Sequence, residues 1–210
     1  MKKALFLAAM AALTFGFTSC EKDTQKPSAP GTEEPGDNPG KEDPGKEDPK
    51  PEYRLLEDFE NGGMLTWTGS GCAFEIVDNP SSSEANSSSK VGKVTAGGAQ
   101  WEFTWSTFFG SNDNPEYLDF SKDGYIVKVD VFSPKAGAAV FLKIEGDNVE
   151  AIEIPSATAK SGAWETLAFD YEPKTPADGA YRNFVILFDA GAVTTQGEEY
   201  FYDNIRLCKE

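Results

Sequence analysis

Histidine is absent from the 210-residue chain. That excludes Ser-His and Cys-His nucleophile systems and histidine-ligated metal sites together. Cysteine is scarce, with Cys20, Cys72 and Cys208 the full set. Positive charge is short: 19 Lys and Arg stand against 35 Asp and Glu, for a formal net charge of −16. So acidic a chain is a poor partner for nucleic acid, whose affinity comes mainly from Lys and Arg on phosphates. It also disfavours anionic membranes and strongly acidic polysaccharides; a neutral ligand or a cation suits it better. The apolar run from Ala4 to Phe17 falls short of the ~20 residues that a spanning helix needs. No stretch holds a long 3.6-residue period. No phosphate loop, metalloprotease motif or nucleophile motif occurs. With so many acids, some pair can always be matched to glycoside hydrolysis, so such pairs carry no specific signal and the chain is not expected to be an enzyme.

What is present begins with Met1-Lys2-Lys3 ahead of that apolar run, whose length fits the usual signal-peptide core of about 7–15 residues. The run ends in Phe17-Thr18-Ser19-Cys20. This resembles the lipobox of bacterial lipoproteins, in which the cysteine is lipidated and becomes the new N-terminus. Phe17 stands where an aliphatic residue is usual. The resemblance implies that residues 1–20 are a lipoprotein signal peptide, that Cys20 is the lipidation site, and that the membrane is met through the lipid anchor only. Residues 21–52 are nearly free of apolar side chains and carry Pro-Gly-Lys-Glu-Asp twice in succession, at Pro39–Asp43 and Pro44–Asp48. Such a segment cannot bury enough surface to offset its ordering entropy, so it reads as a disordered, proline-extended spacer. Glu21-Lys22-Asp23 resembles the acidic export tags of outer-surface lipoproteins in glycan-degrading Gram-negative bacteria. That implies an outer-membrane location facing the exterior.

Residues 53–210 make one domain, long enough to bury a real core. It carries 12 basic and 25 acidic residues. Eleven segments read as strands: Arg54–Glu60, Met64–Thr68, Cys72–Asp78, Lys90–Ala96, Gln100–Trp105, Gly124–Ser133, Ala138–Glu145, Val149–Ile154, Ala163–Tyr171, Tyr181–Asp189 and Glu198–Leu207. Gly-, Asn- and Pro-rich turns separate them. Val127, Val129 and Val131 share one face; Val140, Leu142 and Ile144 share another, with Lys143 and Glu145 opposite. Tyr181–Phe188 is apolar on both faces near its middle, as a central strand should be. An all-β, two-sheet sandwich of jelly-roll type is expected. Cys72 and Cys208 are left either as a disulfide or as two buried thiols.

A succession of short motifs runs through this domain. Glu57-Asp58-Phe59-Glu60 opens it, Asn86-Ser87-Ser88-Ser89-Lys90-Val91 and Val131-Phe132-Ser133-Pro134-Lys135 follow, and Tyr202-Asp203-Asn204-Ile205 closes it. Their order and spacing are similar to the jelly-roll carbohydrate-binding modules of the galactose-binding-like fold. These occur beside glycoside hydrolases and in surface lipoproteins of polysaccharide-utilisation systems. The resemblance implies a non-catalytic domain that binds a neutral polysaccharide or oligosaccharide, with β-glucans among the candidates. A surface adhesin or assembly accessory that binds protein is the alternative.

Such modules pack the C–H face of a pyranose on an exposed aromatic ring. Trp101, Phe103 and Trp105 fall at i, i+2 and i+4 and share one strand face, with Gln100, Glu102 and Thr104 on the other. Either side could be the core. Trp67, beside a Gly-rich turn, and Tyr202, opposite Phe201 and Ile205, are further candidates, while Trp164 reads as structural. Phe108 and Phe109 suit a loop walling one end of a cleft. Alternation places Asp203 on the apolar face of Phe201, Ile205 and Leu207, where an unpaired carboxylate would be costly. A calcium ion, which takes oxygen ligands only, would offset that cost. The resemblance implies such a calcium joining the first and last strands, held by Glu60, Asp58 and Asp203 as a structural staple.

Overall fold

The computed structural model describes residues 52–110 and 113–209. The signal peptide, Cys20 and the spacer before Glu52 lie outside the described residues. Eleven strands occur among the described residues: β1 (Tyr53–Glu57), β2 (Trp67–Ser70), β3 (Ala73–Asp78), β4 (Lys90–Thr95), β5 (Phe103–Ser106), β6 (Ile126–Phe132), β7 (Ala139–Gly146), β8 (Ile152–Ala157), β9 (Trp164–Asp170), β10 (Tyr181–Phe188) and β11 (Glu199–Cys208). They match the eleven segments expected, with ends shifted by one to three residues in most. One helical turn, α1 (Phe120–Asp123), is capped by Asp119, whose side chain accepts from Lys122 N.

Two antiparallel sheets face each other. One runs β3-β4-β11-β6-β9, with β1 on the far half of β11; the other runs β2-β5-β10-β7-β8. β11 is long enough to pair β4 through residues 199–202 and β1 through residues 205–208. The core lies between the sheets and is built by the alternation of Val127, Val129 and Val131 on β6, Val140, Leu142 and Ile144 on β7, and Phe184, Ile186 and Phe188 on β10. A second small cluster, Val91, Trp164 and Phe201, closes the outer side of the first sheet. The fold is an all-β sandwich of the jelly-roll kind.

At the mouth of the core Phe59, Trp67, Phe74 and Tyr202 form an aromatic cluster, with Tyr202 edge-on to Phe59 at 5.1 Å and to Trp67 at 5.2 Å between ring centroids. Gly92 makes this possible: a Cβ there would fall 2.9 Å from Phe59 Cζ and 3.0 Å from Phe74 Cε2. Glu57 is buried beneath the cluster. Its carboxylate accepts from the backbone N–H groups of Asp58, Phe59, Met64 and Leu65 and from Trp67 Nε1, at 2.8–3.1 Å. Five donors meet one anion, so β1, the turn after it and β2 are tied together without a cation.

Cys72 and Cys208 are both free thiols. Burial pushes each thiol above its ordinary pKa.

Candidate functional site

The outer face of the five-stranded sheet carries a groove of about 530 Å³ lined by Trp101, Phe103, Trp105, Lys143, Glu145, Glu153, Val185 and Leu187. Strand register builds it. Val185 pairs with Trp105 on one side and Lys143 on the other, and Lys143 pairs with Glu153. Leu187 sits between Phe103 and Phe141 in the next row. Each row therefore runs from an aromatic on β5, over an aliphatic on β10, to β7 and β8. Val185 and Leu187 form the floor. The polar wall is Lys143 with Glu145, ion-paired at 2.5 Å, and the exposed Glu153.

Trp101 is 55% exposed and Trp105 41%. Glu102 and Thr104, by contrast, are buried, with Thr104 Oγ1 hydrogen-bonded to Tyr202 Oη at 3.3 Å. The polar side of β5 thus faces in and its aromatic side faces out, the reverse of an ordinary amphipathic strand. Trp101 precedes β5 and has a left-handed backbone, φ 64°.

Two expected ligand residues lie elsewhere. Trp67 pairs with Ser106 while its neighbour Thr68 pairs with Trp105, so Trp67 points into the core and Trp105 out. Tyr202 is fully buried in the same cluster as Trp67. Both are corrected to core residues. Trp164 is buried, with Nε1 donating to Asn79 Oδ1, in keeping with a structural role. Phe108 is half exposed with the Arg182 guanidinium over its ring at 4.6 Å, and Phe109 is buried.

The reason Tyr202 faces in is a bulge. The β11–β6 register shifts between Asp203 and Arg206, and Asn204 takes a left-handed φ of 49°. One extra residue there switches the alternation. Tyr200 and Tyr202 share the core side with Ile205 and Leu207, while Phe201 packs into the outer cluster. Asp203 is therefore not beside Ile205 and Leu207 as simple counting predicts. It is buried nonetheless, across the ladder from Asp130. Asn86 Nδ2 donates to Asp203 Oδ2 at 2.7 Å, and Asp203 Oδ1 has no partner.

The three carboxylates expected to hold calcium fit it only in part. Asp203 offers a buried, unpartnered oxygen. Glu60 spends Oε1 on the backbone N–H groups of Ser89 and Lys90, and Asp58 spends Oδ1 on Glu60 N. Among the described residues no three metal-ligating side chains gather into one group.

Lys143, Glu145, Glu153, Val185 and Leu187 are groove residues that sequence reasoning did not assign to a site. The outward alternation of Lys143 and Glu145 was visible; that β10 lies between β5 and β7 was not, because nothing local encodes it.

No protein family and no curated protein matches the chain by sequence. Solved structures match it by shape. The structure of an exo-beta-agarase superposes with a TM-score of 0.52 at 14% identity, over 72% of this chain and 24% of that one. The family 11 carbohydrate-binding module of the cellulosomal cellulase Lic26A-Cel5E of Clostridium thermocellum gives 0.49 at 16% identity, over 74% of this chain and 94% of that one. A point variant of a family 29 carbohydrate-binding module gives 0.49 at 12% identity, over 75% and 90%. At 14% identity the likeness to the agarase structure is one of fold alone. The chain contains an all-β jelly-roll sandwich with an aromatic-walled groove on the outer face of its five-stranded sheet.

Proposed function

We propose that this domain binds a neutral polysaccharide or oligosaccharide, without catalysis, in the groove on its five-stranded sheet. The observation that carries the reading is the inversion of β5 and the two residues before it, which buries Glu102 and Thr104 and leaves Trp101 and Trp105 exposed. Exposing large rings while burying polar groups has a free-energy cost, and a groove so built suits a ligand with flat apolar faces and a hydroxylated rim. Sugar rings have that form. Glu145, Glu153 and Lys143 supply acceptors and donors for hydroxyls. Their balance, two acids to one base, disfavours uronates and sulfated glycans and suits uncharged ones.

In the same proposal, Cys20 carries the lipid anchor, residues 21–52 serve as a tether, and the domain faces the exterior at the outer membrane of a polysaccharide-utilising cell. These parts rest on the sequence alone. A structural calcium at Asp203 is also proposed, on the strength of its free buried oxygen.

The test is affinity gel electrophoresis of the chain lacking residues 1–20 against a panel of neutral polysaccharides, β-glucans first. Retardation by one class, abolished by Trp101→Ala or Trp105→Ala, supports the reading. A folded protein retarded by none would favour a protein-binding adhesin, and turnover of a dye-linked polysaccharide would replace binding with catalysis.

A further inference from the structure

Trp101 combines high exposure with a left-handed backbone, which costs an L-residue with a side chain. Such strain persists only where the surroundings enforce it. Three donors converge on the neighbouring carboxylate of Glu102, which is 5% exposed. Gly97 N reaches Oε2 at 3.1 Å, Thr194 Oγ1 reaches Oε2 at 3.0 Å, and Ala99 N reaches Oε1 at 2.7 Å. Gly97 and Ala99 belong to the turn that leads into Trp101. Thr194 belongs to the loop between β10 and β11.

That loop is what the Trp101 ring rests on. A Cβ at Gly191 would lie 3.6 Å from Trp101 Cη2, so the ring packs over a glycine. Gln100 Nε2 donates to Gly191 O at 2.7 Å, Gln100 forms a β-bridge with Val193, and Thr194 N donates to Ala99 O at 3.2 Å. The turn and the loop are thus stitched together on both sides of the tryptophan, and Glu102 is the buried knot.

We infer that Glu102 is the positioning residue of the groove: its carboxylate, on the inner side of the strand, fixes the Trp101 ring on the outer side in the orientation that a sugar would meet. This deepens the glycan reading and rests on it for the ligand, but not for the ordering of the ring. The two backbone N–H groups, Gly97 on Oε2 and Ala99 on Oε1, can only donate, so a carboxylate accepts from both, whereas a glutamine would set its own N–H against one of them; the Thr194 hydroxyl shares its proton between Oε2 and Ala99 O. The isosteric change Glu102→Gln therefore frees the turn while leaving volume unchanged. Fixing a binding ring beforehand spares the ligand the cost of ordering it.

The experiment has two arms. In the first, without ligand, Trp101 is the exposed indole of a Trp105→Phe variant, since Trp67 and Trp164 are buried. Adding Glu102→Gln should raise acrylamide quenching and lower fluorescence anisotropy, with the circular dichroism spectrum retained. Unchanged quenching and anisotropy would overturn the inference. In the second, binding to a mixed-linkage β-glucan is measured for the parent, Glu102→Gln, Trp101→Ala and the double variant. Glu102→Gln should weaken binding about tenfold, and should add less than about twofold in the Trp101→Ala background. Additive losses would overturn a role exercised through Trp101. If the parent binds no glycan, the function reading fails while the first arm still decides the role of Glu102. Should Glu102→Gln not fold, Thr194→Val removes one donor and is read in the same two ways.

Discussion

Asp203 lies opposite Asp130 across the β6–β11 ladder, so two carboxyl groups share one buried corner. They are not treated alike. Asp130 takes Arg206 at 3.1 Å, Thr166 at 2.7 Å and Asn204 at 3.0 Å, while a free oxygen remains on Asp203. Burial first, and Asp130 in addition, push the Asp203 carboxyl up to about 6 against the lowering effect of Asn86 and Ser88.

The pH dependence follows from the sign of that shift. A carboxyl whose folded pKa lies above its unfolded value of about 3.9 is held more readily as the neutral acid in the folded state. Its contribution is fully present below the unfolded pKa and is lost as pH rises through about 6. In chelator, Asp203→Asn should therefore melt several degrees above the parent at pH 8, a gain on the order of 2–3 kcal/mol, and match it near pH 4. Thermal melts of both proteins across that range check this; a difference independent of pH would refute it.

The same corner gives the calcium test. An ion on Asp203 requires the ionised carboxylate, so added calcium should raise the parent's melting temperature at pH 8 and leave it unchanged near pH 4. The Asp203→Asn variant should not respond in kind. A parent melt indifferent to calcium and chelator at both pH values would remove calcium from the proposal.

Glu57 makes a different kind of prediction. Five donors point at its carboxylate, and Glu57→Gln would turn an N–H toward one of them at the base of the aromatic cluster. Leaving buried groups unpaired costs about 1–3 kcal/mol each, so a loss on the order of 3 kcal/mol is expected. For a domain of this size that is roughly 10 °C in melting temperature. Denaturant unfolding is the check, and a change below about 0.5 kcal/mol would show that the network contributes nothing net.

Where strands are regular, the sequence is a sufficient guide. Val127, Val129 and Val131, or Val140, Leu142 and Ile144, point inward as alternation requires, because period-two geometry is local. The face shared by Trp101, Phe103 and Trp105 was equally legible. Which side of that face meets water was not, because it depends on β10 and β2 flanking β5, a non-local fact. Tyr202 and Asp203 were misplaced for a sharper reason. The bulge at Asn204 inserts one residue, and alternation counted across it inverts. Trp67 shows the limit from another side: the β2–β5 register turns it into the core, where its Nε1 donates to Glu57, ten residues earlier.

The tryptophans separate binding from stability. Trp101 and Trp105 are exposed on the groove, so truncating either removes ring surface from solvent-facing positions and should change the melting temperature by no more than about 2 °C. Glycan affinity should fall about tenfold or more for each, since one aromatic stacking surface is worth about 1–3 kcal/mol. Trp67→Ala should behave in the opposite way. It empties the centre of the Phe59, Phe74 and Tyr202 cluster and removes one of the two donors to Glu57 Oε2, at a cost of about 3–5 kcal/mol. Its affinity, measured at a temperature where the variant is still folded, should stay near that of the parent. Paired melts and binding titrations on the three variants decide the matter. If Trp101→Ala and Trp105→Ala lose stability while affinity holds, the groove is a structural surface and the glycan reading fails.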